Sequence, residues 1–528
     1  MPSSTPMSSE TCARLTRRGV LTLPALAGAG AVLSGCGVLK KGDTASSGKS
    51  SGAASPRAVA TATGPHGGVM LDSGLDGKAV SVEVGPAVVV DDHTVVRLVM
   101  SNPGDGYYYV SSTFGTMGSP LSLLDITMFS LGKGFVFPQL SVAGSDFLTE
   151  VRKDRPLELF PVFASLGDGI NAVEVLLPHL GMVVGVPVVD EAHAGFSVAD
   201  VLAKTELVKK APGPFRLQSH TLSADGASDT KQDEKSTTVT VAGDVTFATD
   251  SDQLSAQADS VLATVVEQIK KYPSGGELTI TGHTDDVADD AHNQDLSERR
   301  AKAVSERLKK LTDLSAWKES VSGKGESSPR VPNDTDEHRQ ANRRVEITLT
   351  PSKPAESSAP PSASAGPSST AMPKAAGPVG KGPEGVDVIV DGKRLHMSME
   401  RMFRIGRYLT GSVELRSQQQ MELQMASFAL PSTMQTLADW VMGGVYSLTL
   451  LSGDTRYMEA DFESADRGRL PAAMTALNGS VHPGEPLRLP VVWPDIGGDS
   501  AVIDIPGGEA RGPGRVVARL TDIPIINA

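Results

Sequence analysis

The chain has 528 residues, a prior of about three domains at roughly 150 residues each. Its 49 Lys and Arg against 62 Asp and Glu give a formal net charge of −13, which argues against a general nucleic-acid binder, whose affinity rests on neutralising phosphates. With 54 Gly, 35 Pro and 4% aromatics it suits several loop-rich domains better than one large core, and no apolar run reaches the ~18 residues that span a bilayer.

The first 36 residues read as an export signal. Arg14, Arg17 and Arg18 precede an apolar stretch from Val20 to Leu33, broken by Thr22 and Pro24 and too short to span, and then Leu33-Ser34-Gly35-Cys36. That last run resembles the lipobox of bacterial lipoproteins, which implies cleavage before Cys36 and acylation of Cys36, with palmitate as one of its chains. Thr16-Arg17-Arg18-Gly19-Val20-Leu21 resembles a twin-arginine signal, with Val20 where Phe is usual, so the export route stays open. Both cysteines lie here, so the mature chain is expected outside the cytoplasm, lipid-anchored to a membrane and without disulfides.

Residues 37–68, rich in Ser, Gly and Ala, are expected to form a flexible tether. Gly48-Lys49-Ser50-Ser51-Gly52 within it matches a nucleophile elbow on paper, but it lacks the strand and helix that would present the hydroxyl, and it is discarded. Residues 69–215 show short strands: Val80, Val82 and Val84 alternate, and Val96, Leu98 and Met100 run into the turn signal Asn102-Pro103-Gly104-Asp105-Gly106. Tyr107 and Tyr109 should face one way and Tyr108 the other. The expectation is a mainly antiparallel, immunoglobulin-like β-sandwich.

Residues 236–350 behave differently. Thr238–Val241 alternates as a strand, and Ala258, Val261, Leu262, Val265, Val266 and Ile269 form a helical stripe. Leu278-Thr279-Ile280 is a strand running into Gly282-His283-Thr284-Asp285. A second helix follows with Asp295 and Glu298 placed as a capping box, then a strand signal at Val321, a helix over Arg339–Arg343 and a strand at Val345, Ile347 and Leu349. The order strand–helix–strand–helix–strand–helix–strand indicates a central α/β or α+β sandwich domain.

Residues 351–383 are rich in Pro, Ser and Ala and are expected to be a linker, reaching about 100 Å if extended as polyproline at ~3.1 Å per residue. Residues 384–528 again show strand signals, at Val386, Val388 and Val390, at Val413 and Leu415, and at Val502, Ile503 and Ile505. A second immunoglobulin-like sandwich is expected there. Pro156-Leu157-Glu158-Leu159 with Val162-Phe163 and Ala172-Val173 parallels Pro486-Leu487-Arg488-Leu489 with Val491-Val492-Trp493 and Ala501-Val502, so the flanks are candidate duplicates.

Chemistry concentrates in the second central helix. Arg300 falls on the apolar stripe of Leu296, Val304 and Leu308, and a buried guanidinium is costly unless paired. Asp285 is the first candidate partner, with Asp286, Asp289 and Asp290 competing. A fixed carboxylate beside a fixed guanidinium is either a plain salt bridge or a receptor for a zwitterion.

Gly282-His283-Thr284-Asp285, Asn293, Leu296-Ser297 and Arg300-Ala301 together resemble the signature of the OmpA-like peptidoglycan-binding domain. Phe247 with Leu254, Gly323-Lys324-Gly325-Glu326 with Pro329, Asn333, Arg339 and Asn342-Arg343-Arg344-Val345-Glu346-Ile347 extend the likeness over residues 236–350. The resemblance implies a βαβαβ-type sandwich that binds the diaminopimelate of peptidoglycan stem peptides without covalent chemistry. It implies Asp285 on the ligand's ammonium, Arg300 on its carboxylate, Thr284 and Asn293 shaping the loop, and Arg343 closing the site. Ala288 stands where the family has Gly and His292 where Tyr is common.

Rival readings are weaker. The acidic loop with His283 and His292 lacks the spacing of a calcium loop, so no metal is expected. No cofactor motif or catalytic constellation stands out, and no enzyme is expected. The basic run Arg299, Arg300, Lys302, Arg307, Lys309, Lys310 is interrupted by Glu306 and reads as a solvated helix face. The sequence therefore points to a lipid-anchored envelope protein that tethers membrane to peptidoglycan. The alternative is an interaction or assembly protein whose sandwiches bind an unidentified envelope protein.

Overall fold

A computed structural model describes residues 63–75, 78–109, 126–141, 150–207, 213–248, 250–353, 372–428, 447–464, 468–473, 478–507 and 514–528. The export signal with Cys36, the tether up to residue 62 and residues 354–371 of the expected linker lie outside them. Among the described residues no helix is long and apolar enough to cross a membrane.

The first flank is formed by β1 (Val69–Leu75), β2 (Lys78–Val90), β3 (His93–Ser101), β4 (Thr127–Ser130), β5 (Phe135–Pro138), β6 (Leu157–Leu159), β7 (Val162–Ala164), β8 (Ala172–Leu177), β9 (Gly181–Val189) and β10 (Phe215–Arg216). They pair in the order β10-β5-β4-β8-β9-β2-β3-β6, with β1 on β2 and β7 on β3. All pairs are antiparallel except β9 with β2, which meet in parallel at Val188–Ala87. Strand alternation sorts the side chains. Val173, Val175 and Leu177 of β8 enter one core with Leu98 and Met100 of β3, while Leu176 faces the other way. Val88, Val95 and Val162 also face outward, and Ala194 of α1 (Glu191–Ala194) and Val198 of α2 (Val198–Leu202) cover them. Tyr108 is buried and Tyr109 exposed, as alternation requires.

The central domain comprises β11 (Ser219–Ser223), β12 (Ser228–Gln232), β13 (Thr237–Ala242), α3 (Gly243–Thr246), α4 (Ala258–Lys270), β14 (Gly276–His283), α5 (Asp290–Leu311), β15 (Trp317–Gly323), α6 (Asp336–Asn342) and β16 (Arg344–Pro351). Its strands pair in the order β15-β14-β16-β13-β12-β11, with β14 and β15 parallel. Val239, Val241, Leu278, Ile280, Val345, Ile347 and Leu349 are fully buried and pack with the stripes of α4 and α5. The central α5 starts earlier than its sequence suggests. Asp289 is the cap, accepting the His292 N–H at 3.0 Å, and Asp295 sits inside the helix and pairs with Arg299 one turn on. Two glycines let α5 approach the sheet: a Cβ on Gly282 would stand 2.1 Å from the Ser297 carbonyl oxygen, and one on Gly323 would stand 2.2 Å from Ser297 Oγ.

The second flank contains β17 (Val379–Lys381), β18 (Val386–Val390), β19 (Lys393–Ser398), β20 (Met402–Ile405), β21 (Tyr408–Ser417), β22 (Thr449–Ser452), β23 (Thr455–Tyr457), β24 (Pro486–Pro494), β25 (Ser500–Ile505) and β26 (Ala518–Asn527). The central sheet continues into it as β11-β23-β22-β25-β26-β20-β21-β19-β18, with β24 on β21 and β17 on β26. Pro351 closes β16, Val379–Lys381 is a strand, and the β11–β23 ladder (Thr221–Tyr457, Leu222–Arg456, Ser223–Thr455) joins the central domain directly to the second flank.

The flanks share one strand path. β10-β5-β4-β8-β9-β2-β3-β6 in the first corresponds to β23-β22-β25-β26-β20-β21-β24 in the second with the central domain's β11 added at its β23 end, including the parallel pair, β9–β2 in one and β26–β20 in the other. Register agrees as well: Met128 faces Val175 as Leu450 faces Ile503, and Val136 faces Phe215 as Arg456 faces Leu222. The flanks pack against each other through Phe129, Leu131, Val136 and Leu176 of the first and Tyr408, Phe462 and Val492 of the second.

Candidate functional site

An open cleft of about 760 Å³ lies where the C-terminal end of β14, the start of α5 and the end of α6 converge. Thr284, Asp285, Asn293, Arg300 and Arg343, the five residues nominated from sequence, all line it. The sequence reading did not anticipate how they are wired. Asp285 does not pair with Arg300. Its Oδ2 accepts from Nη1 of Arg343 at 2.6 Å, and its Oδ1 accepts the Val287 N–H at 3.3 Å.

Arg343 caps the end of α6 and reaches back across the cleft. Its Nε and Nη2 donate to both oxygens of Asp244, at 2.8 and 2.6 Å, so one guanidinium bridges two carboxylates. Asp244, then Asp285, raise the Arg343 pKa above its ordinary value despite partial burial. Close backbone contact sets this geometry: the Gly243 N–H donates to the Arg343 carbonyl at 2.7 Å, and a Cβ on Gly243 would stand at the same distance from that oxygen.

Arg300 is 4% exposed and makes no ion pair among the described residues. Its Nε donates to the Ser251 carbonyl at 2.9 Å, and its guanidinium carbon lies 5.1 Å from the centre of the Phe247 ring. Burial lowers its pKa, while Asp244 and Asp250 oppose that shift from a distance. The guanidinium is held in place by a carbonyl and a ring, leaving Nη donors toward the cleft.

Asn293 works on the loop rather than as an open cleft group. Its Nδ2 donates to the carbonyls of Asp285 and Ala288, both at 3.1 Å, and to Glu326 Oε2 at 2.6 Å. Ala288, which stands where the family has Gly, is tied into the loop through that carbonyl. The Thr284 backbone N–H is taken by the Gly325 carbonyl at 3.0 Å, while its buried hydroxyl has no partner among the described residues. His292 pairs with Asp250 at 2.8 Å on the rim. Among the described residues no group of His, Cys, Asp or Glu is arranged to hold a metal.

Asp244, Phe247 and Asp250 had not been given roles. Phe247 carried a signal, as part of the family likeness. Asp244 sits at a helix start just after β13 and gave none, because its partner lies 99 residues away.

Residues 246–343 match the model of the OmpA family. The central domain contains an OmpA family domain, at residues 246–343. Over 106 residues the chain is 40% identical to outer membrane porin F of Pseudomonas aeruginosa, covering 20% of this chain and 30% of the porin. Over 120 residues it is 34% identical to outer membrane protein A of Escherichia fergusonii, covering 21% of this chain and 49% of that protein. The chain thus spans half or less of these relatives. Among solved structures, the cell wall anchor of the T6SS from Pseudomonas aeruginosa is 28% identical, with a TM-score of 0.21, over 24% of this chain and 88% of that one.

Proposed function

We propose that this chain is a lipid-anchored protein of the cell envelope, held in the membrane through acylated Cys36, whose OmpA family domain binds peptidoglycan and so tethers membrane to cell wall. On this reading the ligand is the diaminopimelate of a stem peptide, its carboxylate on Arg300 and its ammonium on Asp285, with Thr284 donating from its free hydroxyl. The observation that carries it is the buried Arg300 without an internal carboxylate, beside a cleft also lined by Asp244, Asp250, Asp285 and Asp289. A structural salt bridge would have consumed it. The protein is read as a binder rather than an enzyme, and its flanks as immunoglobulin-like sandwiches that hold the domain or meet an envelope partner.

The test is co-sedimentation of the soluble chain beginning at Gly37 with purified peptidoglycan. Wild type should pellet, and Asp285→Ala and Arg300→Ala should stay in solution while keeping their circular dichroism. If wild type stays in solution, or all three pellet alike, the reading fails. Release of the full chain from membranes by a Cys36→Ala substitution tests the anchor separately.

A further inference from the structure

A second cleft, of about 300 Å³, opens at the seam between the flanks. Its walls come from Ile170 and Glu174 of the first flank, the β4–β5 turn with Lys133, and Ile405 and Ala528 of the second flank. Glu174 lies on the outward face of β8 beside the inter-flank contact, yet is only 4% exposed. Its Oε2 accepts the Leu131 N–H at 3.0 Å, and the groups that favour its charged form are backbone N–H donors, those of Leu131 and of Glu174 itself. No Lys, Arg or His of the described residues pairs with it, and the residue lines the cleft.

A carboxyl buried without a cation is an expensive feature to retain in a sheet. The shared strand path shows that the fold does not need it. Leu176 faces Thr127 as Asp504 faces Thr449, so the position two residues before, Glu174, corresponds to Val502. The second flank builds the same strand with an apolar residue. Backbone glycines 132, 169 and 185 open the mouth, and Ile170 and Ile405 give it apolar sides. The volume is at the small end of the ligand-pocket range, about 300–1,000 Å³, which excludes a folded partner or a glycan chain and suits a small molecule.

We propose that this inter-flank cleft binds the primary ammonium group of a small organic amine, with Glu174 as its counter-ion. The ammonium supplies the charge that the burial of Glu174 lacks, and the alkyl chain lies between Ile170 and Ile405. Lys133, the other charged side chain lining the cleft, stands on the exposed turn at the mouth and favours amines whose far end is neutral or anionic. Burial pushes the Glu174 pKa up to about 7, against the lowering effect of the Leu131 N–H. Binding needs the carboxylate, so affinity falls about tenfold per pH unit below that value, while an alkylamine stays protonated up to about pH 10.

The probe is n-butylamine, titrated into the soluble chain with isoleucine methyl groups isotopically labelled for NMR. The OmpA family cleft is lined by no isoleucine, so Ile170 and Ile405 report this site alone. The expected result is a saturable shift of both signals, weakened at least tenfold in Glu174→Gln, whose amide oxygen still accepts from Leu131. In wild type the apparent affinity should drop about fiftyfold between pH 7 and about pH 5, from a half-ionised carboxyl to one about 1% ionised. Silent Ile170 and Ile405 signals, an unaltered response in Glu174→Gln, or a flat pH profile in wild type would each overturn the proposal.

Discussion

The two flanks follow one strand path in one register, but treat the same outward face in opposite ways. In the first, Val136, Leu176 and Met182 make it apolar, and it is buried against Tyr408 and Val492. In the second, the matching positions are Arg456, Asp504 and Arg519. Asp504 takes Arg456 at 2.5 Å on one oxygen and Arg519 at 2.7 Å on the other, all three buried. The contact between flanks is head to tail, since the first flank's β4–β8 face meets the second flank's β21–β24 face. Heterologous contacts of this kind can propagate from molecule to molecule unless both ends are closed. Here one end is covered by α1 and α2 over Val95 and Val162, and the other carries charge. A fold is thus set by inward-facing residues, while outward-facing residues decide what it touches.

The largest effect should come from breaking this difference asymmetrically. Asp504→Leu leaves two buried guanidiniums uncompensated and should cost about 3–5 kcal/mol, read by urea unfolding. Replacing the whole set with Arg456→Val, Asp504→Leu and Arg519→Met imports the first flank's face and should restore that loss. If the triple variant is as unstable as the single one, the equivalence of the two faces is wrong.

A smaller effect of opposite sign is expected at Glu174. Its folded-state pKa lies above the unfolded value, so native Glu174 keeps its proton where the unfolded chain loses it, and stability falls as pH rises from about 4.5 to about 7. Glu174→Gln should therefore stabilise the chain above pH 7, by at most about 3 kcal/mol, and be neutral in acid. Parallel melts at the two pH values check the sign.

The smallest effect lies in the central domain, which has no counterpart in either flank. Burial tends to raise the pKa of Glu346, but His283 and Arg344 outweigh it and hold it at about 2. Its contribution is present above the unfolded carboxylate pKa and is lost as pH falls from about 4.5 to about 2. Glu346→Gln should flatten the wild-type decline across that window, and unchanged acid unfolding would refute the assignment.

Periodicity made the central domain legible. The alternation of Val345, Ile347 and Leu349 and the stripe from Ala258 to Ile269 are local consequences of strand and helix geometry, and each is buried as expected. Four of the five nominated site residues, Thr284, Asp285, Asn293 and Arg300, meet in one cleft for a related reason: the loop after β14 and the first turns of α5 are close in sequence, while Arg343 comes from the end of α6. Asp289 was missed as the cap because Asp295 and Glu298 offered the same residue types one turn later.

The sequence by itself determined which segments are strands and helices, that Arg300 is buried, and that the flanks repeat a pattern, because these depend on neighbours within a few residues. Only the tertiary structure decided the rest. Asp285 pairs with Arg343 across 58 residues, β11 joins β23 across more than 200, and Glu174 comes to rest in a seam with Ile405. Those outcomes depend on which distant surfaces meet, and side-chain periodicity carries no information about that.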